Sequence, residues 1–204
     1  MTPPSVLMSA LRPWAAVRRP WTVLLALAAY AGLMLVVRED VANVPSITMQ
    51  GSAGVKVMNF LPLIVCLAVL HCLDRRLDAA ERTGVRPVLA ADRCLVLATA
   101  AVALAIGAAM SALLDMATAP AAGRNVVFLT GLALAVRAAG STSVAGSVTA
   151  GWLFLTATTG LRAPDRPYPW AVLLQPAAEP VALAATAGVL ALGLAMMSRG
   201  PHRA

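Results

Sequence analysis

Charge is scarce in this chain: 16 basic and 9 acidic residues amount to 12% of its 204 positions, about half of the roughly 25% usual in soluble domains. Such a balance excludes an ordinary water-soluble globule. Lysine is nearly missing. Lys56 is the only one, and it follows GSAGV without the spacing of a phosphate-cradling GxxxxGK[ST] loop, so the chain cannot bind and split ATP by that route. Histidine occurs twice, as His71 and His202, without HExxH, GxSxG or paired intramembrane carboxylates to form a catalytic set or metal site. Ser141 and Ser143 beside Gly140 leave an intramembrane serine nucleophile open only formally. The three cysteines, Cys66, Cys72 and Cys94, have neither the spacing of a disulfide framework nor that of a zinc site, and read as small apolar filler. No catalytic residue, bound cofactor or metal is expected of this chain.

Apolar residues are what the chain has in quantity, 60% of the total, with a mean hydropathy of +0.80. A hydrocarbon layer about 30 Å thick takes about 20 residues of helix, so this length accommodates about six spans and little else. The expectation is an all-α, polytopic integral membrane protein forming a single transmembrane domain over 1–204. Its spans are placed at 21–37, 57–73, 94–114, 125–140, 144–161 and 181–198, with Pro62 as a tolerated kink in the second. Before the first span, Leu7, Leu11 and Trp14 recur at helical spacing against Arg12, Arg18 and Arg19, the pattern of a helix lying in the membrane interface. Pro13 should break it. No small-residue cleavage site follows the apolar run, which speaks against a signal peptide.

Small residues recur every four positions on three of these spans: Ala103, Gly107 and Ser111 on the third, Gly146 and Ala150 on the fifth, and Ala187, Ala191 and Ala195 on the sixth. Such stripes let helix backbones approach closely. They are read as helix-packing faces.

The net charge of +7 raises nucleic acid as a partner, but the basic residues are scattered over the connections between apolar runs, where membrane topology explains them. With the N-terminus inside, eleven basic residues fall on inner segments and five on outer ones (Arg38, Lys56, Arg124, Arg162 and Arg166). By the positive-inside rule both termini are cytoplasmic, as is the connection 74–93. Arginine in place of lysine, with abundant alanine, suggests a bacterial origin and hence the bacterial plasma membrane.

The connection 74–93, DRRLDAAERTGVRPVLAADR, carries nine charged residues. Asp78 and Arg82 pair at i, i+4, Gly84 is a helix stop, and Pro87 suits the first turn of a new helix. A short charged element should therefore protrude into the cytosol, where it either docks on a partner or only fixes topology.

In layout the chain resembles the permease subunits of type-2 ATP-binding-cassette exporters: an amphipathic N-terminal segment, six spans, both ends inside, and a charged inner loop between spans two and three. In that family the loop forms a coupling helix seated on the ATPase subunit, with a Glu before a Gly-Thr pair, then a Pro leading to an Arg. Here Glu81 and Pro87 match; Thr83 and Gly84 stand in reversed order, and Arg93 lies further on. The resemblance implies an ATPase-coupling loop of Asp78, Glu81, Arg82, Thr83, Gly84, Arg86 and Pro87. It also implies a second permease chain, identical or different, and ATP and Mg bound in a separate ATPase subunit. The outer connection 162–179, with Tyr168 beside the apolar patch Trp170 to Leu174, corresponds to the place where that family has short re-entrant helices; a patch this short cannot span, and an ordinary interfacial loop is the equal alternative. The competing expectation is a multi-pass scaffold or immunity protein that binds no ATPase.

Overall fold

The computed structural model describes residues 14–48, 51–75, 88–163 and 166–199. Among them six long helices follow one another: α1 Trp21–Val37, α2 Pro62–Asp74, α3 Val88–Leu114, α4 Ala119–Ala139, α5 Thr142–Thr159 and α6 Pro180–Met196. A single 3-10 turn, Val57–Asn59, leads into α2. Pro62 lies in the first turn of α2 rather than in mid-helix, where its missing N–H would have had no helical partner anyway. Three stretches, Val57–Asp74, Val88–Leu114 and Ala119–Ala139, are long and apolar enough to cross a membrane; Trp21–Val37 and Pro180–Met196 are apolar but shorter.

The fold is mostly helical, not all-α. Strands β1 (Val41–Ser46) and β2 (Gly51–Lys56) form an antiparallel hairpin in which Val41 faces Lys56 and Ser46 faces Gly51. A smaller hairpin joins β3 (Leu161–Ala163) to β4 (Arg166–Pro167). Sequence conceals the first hairpin because Pro45, Gly51 and Gly54 lower strand propensity. Its alternation shows only in burial: Ala53 and Val55 turn inward onto Ala157 and Leu161, while Ser52 and Gly54 face out.

Hydrogen bonds at the helix ends show that helices consecutive in sequence run in opposite directions, so that α2, α4 and α6 all end on one side. At one end, called here the hairpin end, the Ile47 amide donates to the Thr158 carbonyl at 3.1 Å. Glu39, just past α1, accepts from the Thr118 amide at 3.0 Å and the Thr118 hydroxyl at 2.5 Å, ahead of α4. The opposite end, the loop end, gathers residues 14–18, the last turns of α2, α4 and α6, and the first turns of α3 and α5.

Glu39 also holds Lys56 at 2.9 Å. Partial burial pushes its carboxyl pKa up, but the Thr118 bonds and the Lys56 ammonium more than reverse this, leaving it below the ordinary 4.5. A group with a depressed folded pKa stabilises above its unfolded pKa, and that contribution is lost as pH falls through the folded value. Thermal unfolding followed from neutral pH down to below 4.5 should therefore show a loss of stability in the wild type that Glu39→Gln lacks. Parallel curves for the two would exclude this tie.

Helix α4 is the axis of the bundle. It packs against α2, α3, α5 and α6, and nearly every residue from Ala119 to Leu134 is buried. Glycines set its closest approaches. A Cβ at Gly131 would stand 2.7 Å from the Leu190 backbone of α6, and one at Gly193 would stand 2.5 Å from the Gly131 carbonyl. Across the other interface, a Cβ at Gly107 would meet the Ala119 carbonyl at 2.6 Å, and one at Gly123 the Ala103 carbonyl at 2.9 Å. Backbones meet here directly, as small residues permit.

The expected stripes fall differently on each helix. On α3, Ala103 and Gly107 lie buried against α4, with Ser111 half-buried beyond them. On α5, Gly146 and Ala150 are half-buried, Gly146 facing the Leu67 side chain. On α6, Ala187, Ala191 and Ala195 are all exposed, and the contact face is instead Ala182, Thr186 and Gly193. Alanine and glycine occur on every side of α6, so four-residue spacing does not select a face.

Candidate functional site

The residues expected to form a coupling loop, Asp78, Glu81, Arg82, Thr83, Gly84, Arg86 and Pro87, lie outside the described residues. What the structure shows is how the two roots of that loop are held. The first root is the end of α2, the second the start of α3. One side chain grips both.

Arg18, only 2% exposed, donates through Nη1 to the Leu73 carbonyl at 2.6 Å and to the Arg75 carbonyl at 2.7 Å. Its Nη2 forms a 2.7 Å ion pair with Asp92 Oδ2. Residues 14–18 are helical, so Trp14 and Arg18 lie one turn apart on one face. Trp14 Nε1 donates to the other Asp92 oxygen, Oδ1, at 2.9 Å. Arg18 is thus a buried clamp rather than the solvated side of an interfacial helix, and Asp92 is a residue of α3 rather than of an exposed loop.

Further bonds complete this collar. Arg137, in the last turn of α4, donates to the same Leu73 carbonyl at 2.8 Å. Thr142, opening α5, donates to Asp74 Oδ1 at 2.5 Å. Arg93 donates to the Leu194 carbonyl near the end of α6 at 3.2 Å. The last carbonyls of a helix have no helical donor, and arginine satisfies them while opposing the negative end of the dipole. Arg18, Arg93 and Arg137 therefore serve as caps of helix ends.

A second polar site lies at the hairpin end, inside α4. Arg124 is 2% exposed, and its guanidinium donates to the carbonyls of Pro176 at 2.6 Å, Val172 at 2.7 Å and Gln175 at 2.8 Å. Asn125 adds a 2.8 Å bond to the Leu173 carbonyl and reaches Asn59 at 3.4 Å. Between them these two side chains hold the turn Val172–Leu174, whose Val172 and Leu173 side chains are buried beside Phe128 and Leu129. At the surface of the same connection Tyr168 stacks on Trp170, and Trp152 of α5 meets Trp170 edge-on, each pair at 6.2 Å between centroids.

By sequence Arg124 reads as an outer-loop charge, since it stands directly before the expected span 125–140. A sharper signal was available: arginine followed by asparagine inside an otherwise apolar segment marks a site whose cost must be met by specific partners. The Arg18–Asp92 pair, 74 positions apart, has no such local mark. Among the described residues no group of three or more His, Cys, Asp or Glu could hold a metal ion. The chain matches no protein-family model, no curated protein and no solved structure.

Proposed function

We propose that this chain is the permease subunit of an ATP-binding-cassette exporter, crossing a bacterial plasma membrane six times with both termini in the cytoplasm. A separate ATPase subunit binds ATP and Mg, and a second permease chain completes the pathway. The membrane part of the reading is supported by inverted polarity. Arg18, Asp92, Arg124, Asn125 and Thr149 are buried, whereas Leu24, Val36, Leu104, Phe154, Leu183 and Leu192 are exposed. Apolar exposure on this scale suits hydrocarbon and not water. In α5 the hydroxyls of Thr149, Thr156 and Thr159 each donate to a carbonyl one turn back, which masks their polarity and favours a sixth pass.

The observation that carries the coupling function is the clamp on the loop roots. Besides capping α2, the buried pair ties α2, α3 and the N-terminal segment together at the base of the loop, as a loop that receives force requires.

The test is co-purification from the cells that make the protein, in mild detergent. An ATPase subunit should accompany the wild type, and a cysteine at Gly84, with the native cysteines replaced, should label only from the cytoplasmic side. Truncating one partner of a buried interfacial charge pair costs about 2 to 5 kcal/mol, so joint reversal Glu81→Arg and Arg82→Glu should release the ATPase and leave helix content unchanged. Absence of any ATPase from the wild type would favour the scaffold or immunity protein instead. Equal recovery with wild type and variant would remove the coupling role from this loop.

A further inference from the structure

We infer that α4 is a rod tying the charged loop at one end of the bundle to the turn Val172–Pro176 at the other. The helix carries two charged side chains, Arg124 and Arg137, thirteen positions apart and so about 20 Å along its axis. Both reach beyond their own helix, although Arg124 also donates to the neighbouring Asn125 Oδ1 at 3.3 Å. Arg137 holds the Leu73 carbonyl at the root of the loop, and Arg124 holds the carbonyls of Val172, Gln175 and Pro176. A guanidinium is a planar fork whose bonds fix direction as well as distance, so each end of α4 is registered against a foreign main chain.

Between the two grips α4 has no freedom to bend separately. Its backbone touches α3 through Gly107 and Gly123 and α6 through Gly131 and Gly193, and close-packed interiors transmit strain rather than absorb it. The soft element is the turn itself. It has three 3-10 residues, and its last internal bond, from the Gln175 amide to the Val172 carbonyl, is 3.4 Å long. A displacement of the loop root therefore passes along α4 and appears as release or capture of Val172–Pro176. This inference concerns the chain's own mechanics and goes beyond the identity of the partner on the loop.

Hydrogen exchange on the full chain in lipid nanodiscs, with no ATPase present, tests it. Arg137→Gln leaves the Leu73 carbonyl bonded to Arg18, so α2 keeps a cap. The Ala171 and Leu174 amides, at the far end, should nevertheless exchange on the order of fivefold faster than in the wild type. Arg124→Gln should reciprocally speed exchange of the Cys72 and Leu73 amides. Distant independent sites combine to within a factor of about 2, so the double variant should fall short of the product of the single effects by more than that.

Acceleration confined to the loop end in Arg137→Gln, or a multiplicative double variant, would overturn the rod. Should Arg137→Gln not fold, Arg137→Lys keeps the cation but not the planar fork that fixes direction and should speed the Ala171 and Leu174 amides partially. Wild-type exchange there would overturn the inference equally. Failure of the exporter reading would leave all these outcomes unaffected, since none involves an ATPase.

Discussion

Asp92→Ala should lower unfolding stability by about 3 to 5 kcal/mol, the usual result of removing one member of a buried ion pair. The side chains of Arg18 and Asp92 are only 3% and 9% exposed, so water cannot replace the lost carboxylate. Arg18 would keep its carbonyl partners Leu73 and Arg75, but these satisfy its N–H groups without neutralising its charge. Trp14 would lose its acceptor as well. Asp92→Asn, which keeps an acceptor for Trp14, should cost less.

Replacing both charges at once, Arg18→Met with Asp92→Leu, should recover part of the loss, because well-packed apolar residues often replace a buried pair at little cost, while the bonds to Trp14 and the Arg75 carbonyl stay lost. Detergent melting curves of the three variants and the wild type measure this directly. A single Asp92→Ala within 1 kcal/mol of the wild type, on the order of a surface substitution, would mean that the clamp bears no load.

Gly131→Leu should prevent the bundle from assembling. In an ordinary exposed helix, glycine to alanine gains about 1 kcal/mol of helix propensity. At Gly131 even the alanine methyl would meet the Leu190 backbone at 2.7 Å. Overpacking of this kind costs about 1 to 3 kcal/mol, so Gly131→Ala should already destabilise. The leucine variant forces α4 away from α6 and, with it, from the Arg124 contacts. By contrast, Ala191→Leu falls on an exposed face of α6 and should change stability by no more than about 0.5 kcal/mol. Folded yield and melting temperature compared at the two positions decide it. Equal damage at both would place a partner against the outer face of α6.

That contrast also marks what could be read from sequence and what could not. Helix α1 was legible to the residue, Trp21–Val37, because an unbroken apolar run ends in Arg38, Glu39 and Asp40. Helix α3 starts at Val88, six residues before the expected Cys94, and α4 at Ala119, six before Asn125. Both errors have one cause. A hydropathy argument sends each charge to water, whereas Asp92, Arg93 and Arg124 find partners 74, 101 and about 50 positions away. Such bonds leave no local pattern. The contact face of α6 was equally hidden, since its choice depends on where Gly131 of α4 stands. The clamp at the loop roots could not be read at all, although the loop it serves was the most conspicuous polar feature of the chain.

The bonds of Arg124 bear on how the chain is made. Its carbonyl partners lie 48 to 52 positions downstream, so when α4 leaves the ribosome none of them exists yet. An arginine at the centre of a membrane helix costs about 2.5 to 3.5 kcal/mol on insertion scales; Arg124, in the second turn of α4, costs less than that, and Asn125 adds to the burden. If α4 enters a bilayer as proposed, its Arg124 has none of these carbonyl partners until Pro176 has been synthesised, and shelter against α2 and α3, which precede it, would offset the cost. On that reading the axis of the finished bundle reaches its final place only when α6 closes over it.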